Sequence, residues 1–152
     1  MKAFLLLITL IVLFALVSWV LLTYVLVSDE TRIRWTIEKG RKAVQSGSIL
    51  TFSTLLTDEY QDSSGLDRGM MVSALQTLFQ ETSNRKVFIT RQSITIQGRR
   101  AEAEIGFVFQ CDGERNRTRN WAMSTNAGDS RIVKIVFLKE EHRWLISRTI
   151  HD

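Results

Sequence analysis

The chain opens with an apolar segment and then changes to a mixture of apolar and charged residues. Residues 4–27 form a run of 24 residues without a charge, interrupted only by two threonines and a serine among the weakly polar types. An α-helix of this length measures roughly 36 Å, which exceeds the roughly 30 Å hydrocarbon core of a bilayer. The pattern predicts a single-pass transmembrane anchor over residues 1–28, with residues 4–27 in contact with membrane lipid.

A cleaved signal peptide is the alternative, because it also begins with a basic residue such as Lys2. Its apolar core is usually about 7–15 residues long and ends in a small-x-small cleavage site, which the residues before Ser28 do not supply. We therefore expect an uncleaved signal anchor that places the domain on the periplasmic or extracellular side. The basic residues between Arg32 and Lys42 would instead favour the cytoplasmic face by the positive-inside rule.

Helical periodicity marks three segments after the anchor. Apolar residues from Ile33 to Val44 recur at spacings of four, three and four, which predicts a helix over Asp29–Ser46 that Gly47 ends. A second, short helix is predicted over residues 49–56, followed by a loop or short edge strand. Ser64 and Asp67 then match a Ser-x-x-acid capping box, which predicts the start of a third helix. The apolar face of this helix is expected to consist of Leu66, Met70, Ala74, Leu75, Leu78 and Phe79.

After Asn84 the apolar period changes to two, which is typical of strands. Residues 87–96 and 100–111 are predicted to form a hairpin around Gly98, and residues 131–139 and 143–150 a second hairpin, with a weaker strand over 117–124. Helices followed by antiparallel strands predict an α+β fold. We expect one domain over residues 29–152, in which three helices pack on a curved antiparallel sheet.

Charge and cysteine content narrow the function classes. The chain has 20 basic and 16 acidic residues, and the basic ones are scattered among acids rather than gathered in a stripe, so nucleic acid is not an expected partner. Cys111 is the only cysteine in the sequence, so an intrachain disulfide is excluded. Its side chain is expected to be small and buried. His142 and His151 are expected to be exposed and have no partners at ligand spacing, so neither a metal site nor a cofactor is predicted.

Three fragments of the domain resemble the nuclear transport factor 2-like superfamily, which includes ketosteroid isomerase, scytalone dehydratase and polyketide cyclases. They are Leu55-Leu56-x-Asp58-Glu59-Tyr60-x-Asp62, Ile94-x-Ile96-x-Gly98-x-x-Ala101 and Lys139-x-x-x-x-Trp144-x-Ile146. The resemblance spans nearly all of residues 29–152. It implies a cone-shaped domain whose sheet curls around the long helix and leaves a pocket, which in the superfamily holds steroids, polyketides or nothing. The superfamily also includes membrane-anchored, exported scaffold domains.

The resemblance also implies candidate catalytic residues. Its enzymes transfer a proton with an inward-facing acid or histidine, often together with a tyrosine, inside an apolar cavity. By their place in the first fragment, Tyr60 and Asp62 are the candidates here. The structural alternative is that Tyr60 packs against the third helix and Asp62 caps a turn. Arg91 and Lys134 interrupt apolar strands and are expected on the solvent face of the sheet.

The predicted function is a non-enzymatic, membrane-anchored binding or scaffold domain of the cell envelope. Its partner would be a protein or a small hydrophobic ligand, and a homodimer is expected through the exposed sheet face, with Val108, Val136 and Leu138 at the interface. The alternative is a small isomerase- or cyclase-like enzyme that uses Tyr60 and Asp62. A closed apolar pocket, on the order of several hundred cubic ångströms in volume and with a carboxylate or tyrosine hydroxyl reaching into it, would favour the enzyme, and a filled cone would exclude it.

Overall fold

The computed structural model describes residues 2–25, 27–113 and 131–151. The described chain contains four helices, namely α1 (Lys2–Val25), α2 (Asp29–Ser46), α3 (Ile49–Ser53) and α4 (Arg68–Glu81). Five strands form one sheet: β1 (Leu56–Asp62), β2 (Thr82–Gln97), β3 (Arg100–Gly113), β4 (Arg131–Glu140) and β5 (Arg143–His151). The predicted strand over residues 117–124 lies outside the described residues.

Helix α1 is continuous over 24 residues, and its side-chain exposure is described from Ile8 to Trp19. In this interval the large apolar side chains are turned outward, with Leu10 68% and Phe14 74% exposed. Among the described residues, no helix is long and apolar enough to cross a bilayer.

Helix α2 has the predicted bounds, and local chemistry explains them. Ser28 is the N-cap, since its hydroxyl accepts a hydrogen bond from the Thr31 amide at 3.2 Å. Gly47 ends the helix in the left-handed conformation, with φ of 71°. The predicted apolar stripe is the buried face, because Ile33 and Ile37 lie in the core.

Helix α3 is shorter than the predicted segment 49–56. It ends at Ser53 because the backbone beyond it joins the sheet: the Leu55 carbonyl accepts a hydrogen bond from the Ile146 amide at 2.7 Å, and Leu56 pairs with Ile146. The polar residues that follow form β1 at the edge of the sheet. Pairing with a distant strand therefore overrides the local helical pattern.

The predicted start of α4 and one residue of its predicted apolar face are also corrected. Asp67, rather than Ser64, is the N-cap, and its carboxylate accepts a hydrogen bond from the Met70 amide at 2.8 Å. The buried face consists of Met71, Leu75 and Leu78, while Met70 is 55% exposed. Leu75 and Leu78 therefore confirm most of the predicted face, and Met71 takes the buried place that was expected of Met70.

The strand order is β1-β5-β4-β3-β2. The hairpins β2–β3 and β4–β5 are antiparallel as predicted, and Gly98 adopts a positive φ of 61° in the first turn. β1, however, is parallel to β5, so the prediction of a wholly antiparallel sheet was wrong. The α+β class and the curved, antiparallel-rich sheet under the helices are confirmed.

Two β-bulges change which side chains face the helices. In β2, Ile89 pairs with Phe107 and Arg91 with Gly106, which leaves Thr90 as an extra residue. In β5, Ser147 is extra in the same way, between the pairs that Ile146 and Arg148 form with β4. A bulge of this type reverses the alternation of inward and outward side chains beyond it.

The core lies between one face of the sheet and helices α2 and α4. Its largest fully buried side chains are Trp144, Phe137, Ile33 and Leu78. Near the end of β3 this layer no longer covers the strand, and Cys111 is exposed, so the prediction of a buried cysteine was wrong.

A polar cluster ties the start of α2 to the β4–β5 hairpin. The Asp29 carboxylate accepts hydrogen bonds from Lys139 Nζ at 2.7 and 2.8 Å and from Trp144 Nε1 at 3.0 Å. The Lys139 hydrogen bond, followed by that from Trp144, lowers the pKa of Asp29 below its ordinary value of 3.8. Arg32 adds a hydrogen bond to the His142 carbonyl at 2.9 Å. The residues that follow α1 are therefore held against one corner of the domain.

We expect Asp29→Asn to lower the free energy of unfolding by about 1–2 kcal/mol at neutral pH, because it weakens hydrogen bonds to a charged group. The pKa of Asp29 is lowered in the folded protein, so its contribution is fully present above about pH 4 and is lost as the pH falls through the lowered value. Chemical denaturation of both proteins between neutral and acidic pH measures the difference, which should shrink below about pH 4.

Glu30→Gln is the matched control for Asp29→Asn. Glu30 lies in the same first turn and pairs with Arg34 at 2.7 Å, but the two side chains are 53% and 48% exposed. An exposed pair contributes little, so a change below about 0.5 kcal/mol is expected. Equal losses in the two variants would show that helix-end charge, rather than the cluster, is responsible.

Candidate functional site

A cavity of about 210 Å³ lies between α2, α4 and the concave face of the sheet. Its wall is formed mainly by aliphatic and aromatic side chains from both helices and from strands β2 to β5. The polar residues in the wall are Thr36, Arg41, Tyr60, Thr149 and His151. No carboxylate lines the cavity in the described part of the chain.

Tyr60 reaches this cavity from β1. It is 2% exposed, and its hydroxyl lies 2.6 Å from Thr149 Oγ1, with which it shares a hydrogen bond. Burial raises the pKa of Tyr60 to about 12, because the tyrosinate would lose its hydration. At neutral pH the hydroxyl therefore stays protonated and serves as a hydrogen-bonding group rather than as a base.

Asp62, the second candidate, lies two residues further along β1 and is not part of the cavity wall. Its carboxylate accepts hydrogen bonds from the amides of Ser64 at 2.8 Å and Leu66 at 2.7 Å. The carboxylate thus caps the turn after β1. Both candidates are buried on the same face of β1. Only Tyr60 lines the cavity, because the Asp62 carboxylate is hydrogen-bonded to the turn that follows the strand.

His151 and Thr149 were not predicted at the site. His151 was expected to be exposed near the end of the chain, but it is half-buried in β5 and lines the cavity. The bulge at Ser147 is the reason, because it turns Thr149 and His151 toward the same face as Ile146. His142 is exposed in the β4–β5 turn, as expected. Over the described residues, no three His, Cys, Asp or Glu side chains are grouped to hold a metal ion.

Arg41 lies at the junction of the cavity with an open surface groove of about 920 Å³, because it lines both. Its Nε and Nη2 donate hydrogen bonds to the Glu38 carboxylate at 2.7 and 2.6 Å, and its Nη1 donates to the Gln45 side-chain oxygen and, at 3.4 Å, to the Val87 carbonyl. The hydrogen bonds from Arg41 lower the pKa of Glu38, and Glu38 in turn raises the pKa of Arg41. A guanidinium group is therefore fixed between the cavity and the groove.

The outer face of the sheet carries the residues predicted for an interface. Leu138 is 39% exposed and Val108 is half-buried, but Val136 is only 3% exposed and offers no accessible surface. Sequence reasoning missed Phe88 and Ile132, which are 50% and 48% exposed. Dimerisation through this face stays a prediction.

The two basic residues that interrupt the strands are exposed, as expected. Arg91 pairs with Glu104 at 3.4 Å on the outer face, and Lys134 is exposed in β4. The bulge at Thr90 turns the Arg91 side chain away from the cavity.

The fold and cavity define the class of this domain: a curved sheet closes over a long helix around an apolar pocket, which is the nuclear transport factor 2-like fold. Known structures support this class. One similar structure is an NTF2-like protein from Cytophaga hutchinsonii, which is 12% identical, with 82% of this chain and 97% of that chain covered and a TM-score of 0.64.

Two other solved structures share the fold. A proposed dehydratase of the NTF2-like family from Streptomyces avermitilis is 14% identical, with coverage of 78% of this chain and 91% of that chain and a TM-score of 0.60. A protein of unknown function with a cystatin-like fold from Nostoc punctiforme is 11% identical, with coverage of 81% and 89% and a TM-score of 0.62. No family model matches the sequence, and no curated protein matches it. At these identities the likeness concerns the fold alone.

The raised pKa of Tyr60 can be measured by spectrophotometric titration. The chain has two tyrosines, so the difference between wild type and Tyr60→Phe isolates the signal of Tyr60. We expect a midpoint of about 12, and we expect stability to fall as the pH rises from about 10 toward that value, because the unfolded chain ionises first. Circular dichroism at each pH monitors folding. A difference signal centred near 10 with the fold intact would contradict the buried environment.

Proposed function

We propose that this protein is a membrane-tethered binding module that holds a small hydrophobic ligand in the cavity under α2. The observation that carries the proposal is the cavity itself, which is apolar over most of its wall and has no carboxylate among its described lining residues. Interiors of proteins are otherwise packed with few voids larger than a water molecule. An apolar space of this size favours an apolar guest over water.

The volume limits the size of the ligand. Pockets for drug-sized molecules measure about 300–1,000 Å³, whereas an engineered apolar cavity of about 150 Å³ binds benzene. At about 210 Å³, the cavity suits a molecule of one ring with short substituents. The Tyr60 and Thr149 hydroxyls and the His151 side chain would supply the few polar contacts that orient such a ligand.

The tether is argued from the sequence of residues 4–27, a run of 24 residues without a charge. As a helix this run would measure roughly 36 Å, and the described side chains from Leu10 to Leu16 include exposed leucine, isoleucine, valine and phenylalanine. Trp35, which lies in the second turn of α2, is 59% exposed, and tryptophan is enriched at membrane–water interfaces. Lipid around α1 would bury this apolar surface.

An isomerase- or cyclase-like enzyme receives less support. Proton transfer needs a base whose pKa lies near the working pH. Tyr60, with a pKa of about 12, does not meet this condition, and Asp62 lies outside the cavity wall. This leaves His151 as the candidate for such a role among the described lining residues, with no acid beside it in the wall.

Fluorobenzene is a suitable probe of the cavity. In ¹⁹F NMR of the full-length chain in lipid nanodiscs, we expect a bound resonance distinct from those of water and lipid. Val44→Phe should abolish it, because Val44 lines the cavity and the larger ring would occupy the space. Val108→Phe on the outer face of the sheet is the matched control and should leave the resonance unchanged. Absence of any bound resonance in the wild-type protein would contradict the proposal.

The tether predicts how the chain fractionates. The full-length protein should stay with membranes after an alkaline carbonate wash, whereas Leu10→Arg with Phe14→Arg should release it, because each central arginine costs roughly 2.5–3.5 kcal/mol of insertion. Phe88→Arg with Ile132→Arg, on exposed positions of the sheet, is the matched control and should remain in the membrane fraction. Recovery of the wild-type chain in the aqueous fraction would refute the tether.

The side of the membrane needs a separate measurement. We propose that the domain is exported, so a reporter that is active only after export should function when it is fused to Asp152. Activity of a cytoplasmic reporter at the same position would place the domain on the other face.

A further inference from the structure

We propose that the ligand of this cavity is a small amphiphilic acid, whose apolar body fills the cavity and whose carboxylate lies against Arg41. This inference rests on the proposed ligand-binding function and adds the chemical class of the ligand. It is carried by the junction of an apolar cavity with a basic groove at a single arginine.

Arg41 is the only residue that lines both spaces among the described residues. A molecule that enters the cavity from the groove therefore passes its guanidinium group. Arg41 is half-buried, and its direction is fixed by hydrogen bonds to the Glu38 carboxylate, the Gln45 side chain and the Val87 carbonyl. A fixed, partly desolvated guanidinium binds carboxylates more strongly than a mobile surface cation does.

The groove is predominantly basic. Arg41, Lys42, Arg85 and Lys86 line it, and Asp112 is the only acid among its described lining residues. Part of this charge is structural, since the Arg85 guanidinium also donates hydrogen bonds to backbone carbonyls. The summed positive potential nevertheless favours an anion at the entrance.

Glu38 holds the position that a ligand carboxylate would take. Its two oxygens accept hydrogen bonds from Arg41 Nε and Nη2, and Lys42 lies 3.8 Å from the same carboxylate. The Glu38 side chain is 42% exposed and lies in the next turn of the same helix, so it can turn toward water. The Glu38 carboxylate thus stabilises the Arg41 guanidinium when the cavity is empty and competes with an acidic ligand for it.

The test compares 4-fluorobenzoate with its neutral counterpart, 4-fluorobenzamide, by ¹⁹F NMR titration of the full-length chain at neutral pH and constant ionic strength. We expect the acid to bind roughly tenfold more tightly, as a charge-assisted hydrogen bond would provide. Glu38→Gln should tighten the acid by a further several-fold and leave the amide unchanged, because it removes the competing charge. Arg41→Met should abolish the preference for the acid.

Glu104→Gln is the matched control. Glu104 also pairs with an arginine, Arg91, but on the outer face of the sheet, so its loss should not affect either probe. The inference would be overturned if both glutamate variants changed binding of the acid equally, or if the amide bound as tightly as the acid. Binding of fluorobenzene would still support the proposed function in that case. If none of the ring probes binds, the proposed function fails and the inference fails with it. Glu38→Gln removes no apolar contact, so the test does not depend on whether Arg41→Met folds.

Discussion

The cavity exists because the backbone inserts one extra residue in each of two strands, Thr90 in β2 and Ser147 in β5. Without these extra residues the side chains would alternate strictly between the two faces of the sheet. Arg91 would then point to the same inner face as Ile89, and Arg148 to the same inner face as Ile146. Two guanidinium groups would then lie in an apolar space without acids to pair with them, at a cost of several kcal/mol each. The bulges instead place Arg91 and Arg148 outside, where both are exposed. Gly106 accommodates the first bulge, since a Cβ at this position would lie 2.8 Å from Thr90 Oγ1.

The position of α2 is the second condition for the cavity. Ile33 and Ile37 bury the first half of the helix against the sheet, and the Asp29 cluster fixes its start against the β4–β5 hairpin. Toward the other half, Gly40 and Val44 present little side-chain volume to the sheet and line the cavity. The helix is therefore fully packed at its beginning and leaves a space further along. Such a gradient from large to small side chains forms a cone that is closed at one end.

Sequence patterns predicted the parts of this architecture that depend on local signals. Neighbouring residues are enough to define α2, through the apolar stripe from Ile33 to Val44 and the terminal Gly47. The same is true of the first hairpin, through the turn at Gly98. The parallel pairing of β1 with β5 depends on contacts such as that of Leu56 with Ile146, 90 residues further along the chain, which no local period reveals. The start of α4 was missed because two polar residues, Ser64 and Asp67, both fit a cap, and Asp62 already bonds the Ser64 amide.

The candidate site shows the same division between local and distant causes. The resemblance of the first fragment to a superfamily motif indicated the region of Tyr60, and that residue does border the cavity. The same motif could not separate Tyr60 from Asp62, because the turn that Asp62 caps depends on the backbone at Ser64 and Leu66. Thr149 and His151 were missed because the bulge at Ser147 has no sequence signature of its own. A period-two reading of β5 assigns both residues to the wrong face.

The position of the basic groove bears on the source of the ligand. Arg41 lies twelve residues beyond Asp29 on the same helix, so it is roughly 18 Å along the axis from the end of α2 that follows α1. A ligand that came from the lipid phase would be expected to enter beside α1, at the end of α2 that carries the Asp29 cluster and contacts Trp144. The basic groove at the opposite end faces away from that corner. If α1 is the tether, this arrangement favours a water-soluble acid captured from the aqueous side over a lipid drawn from the membrane.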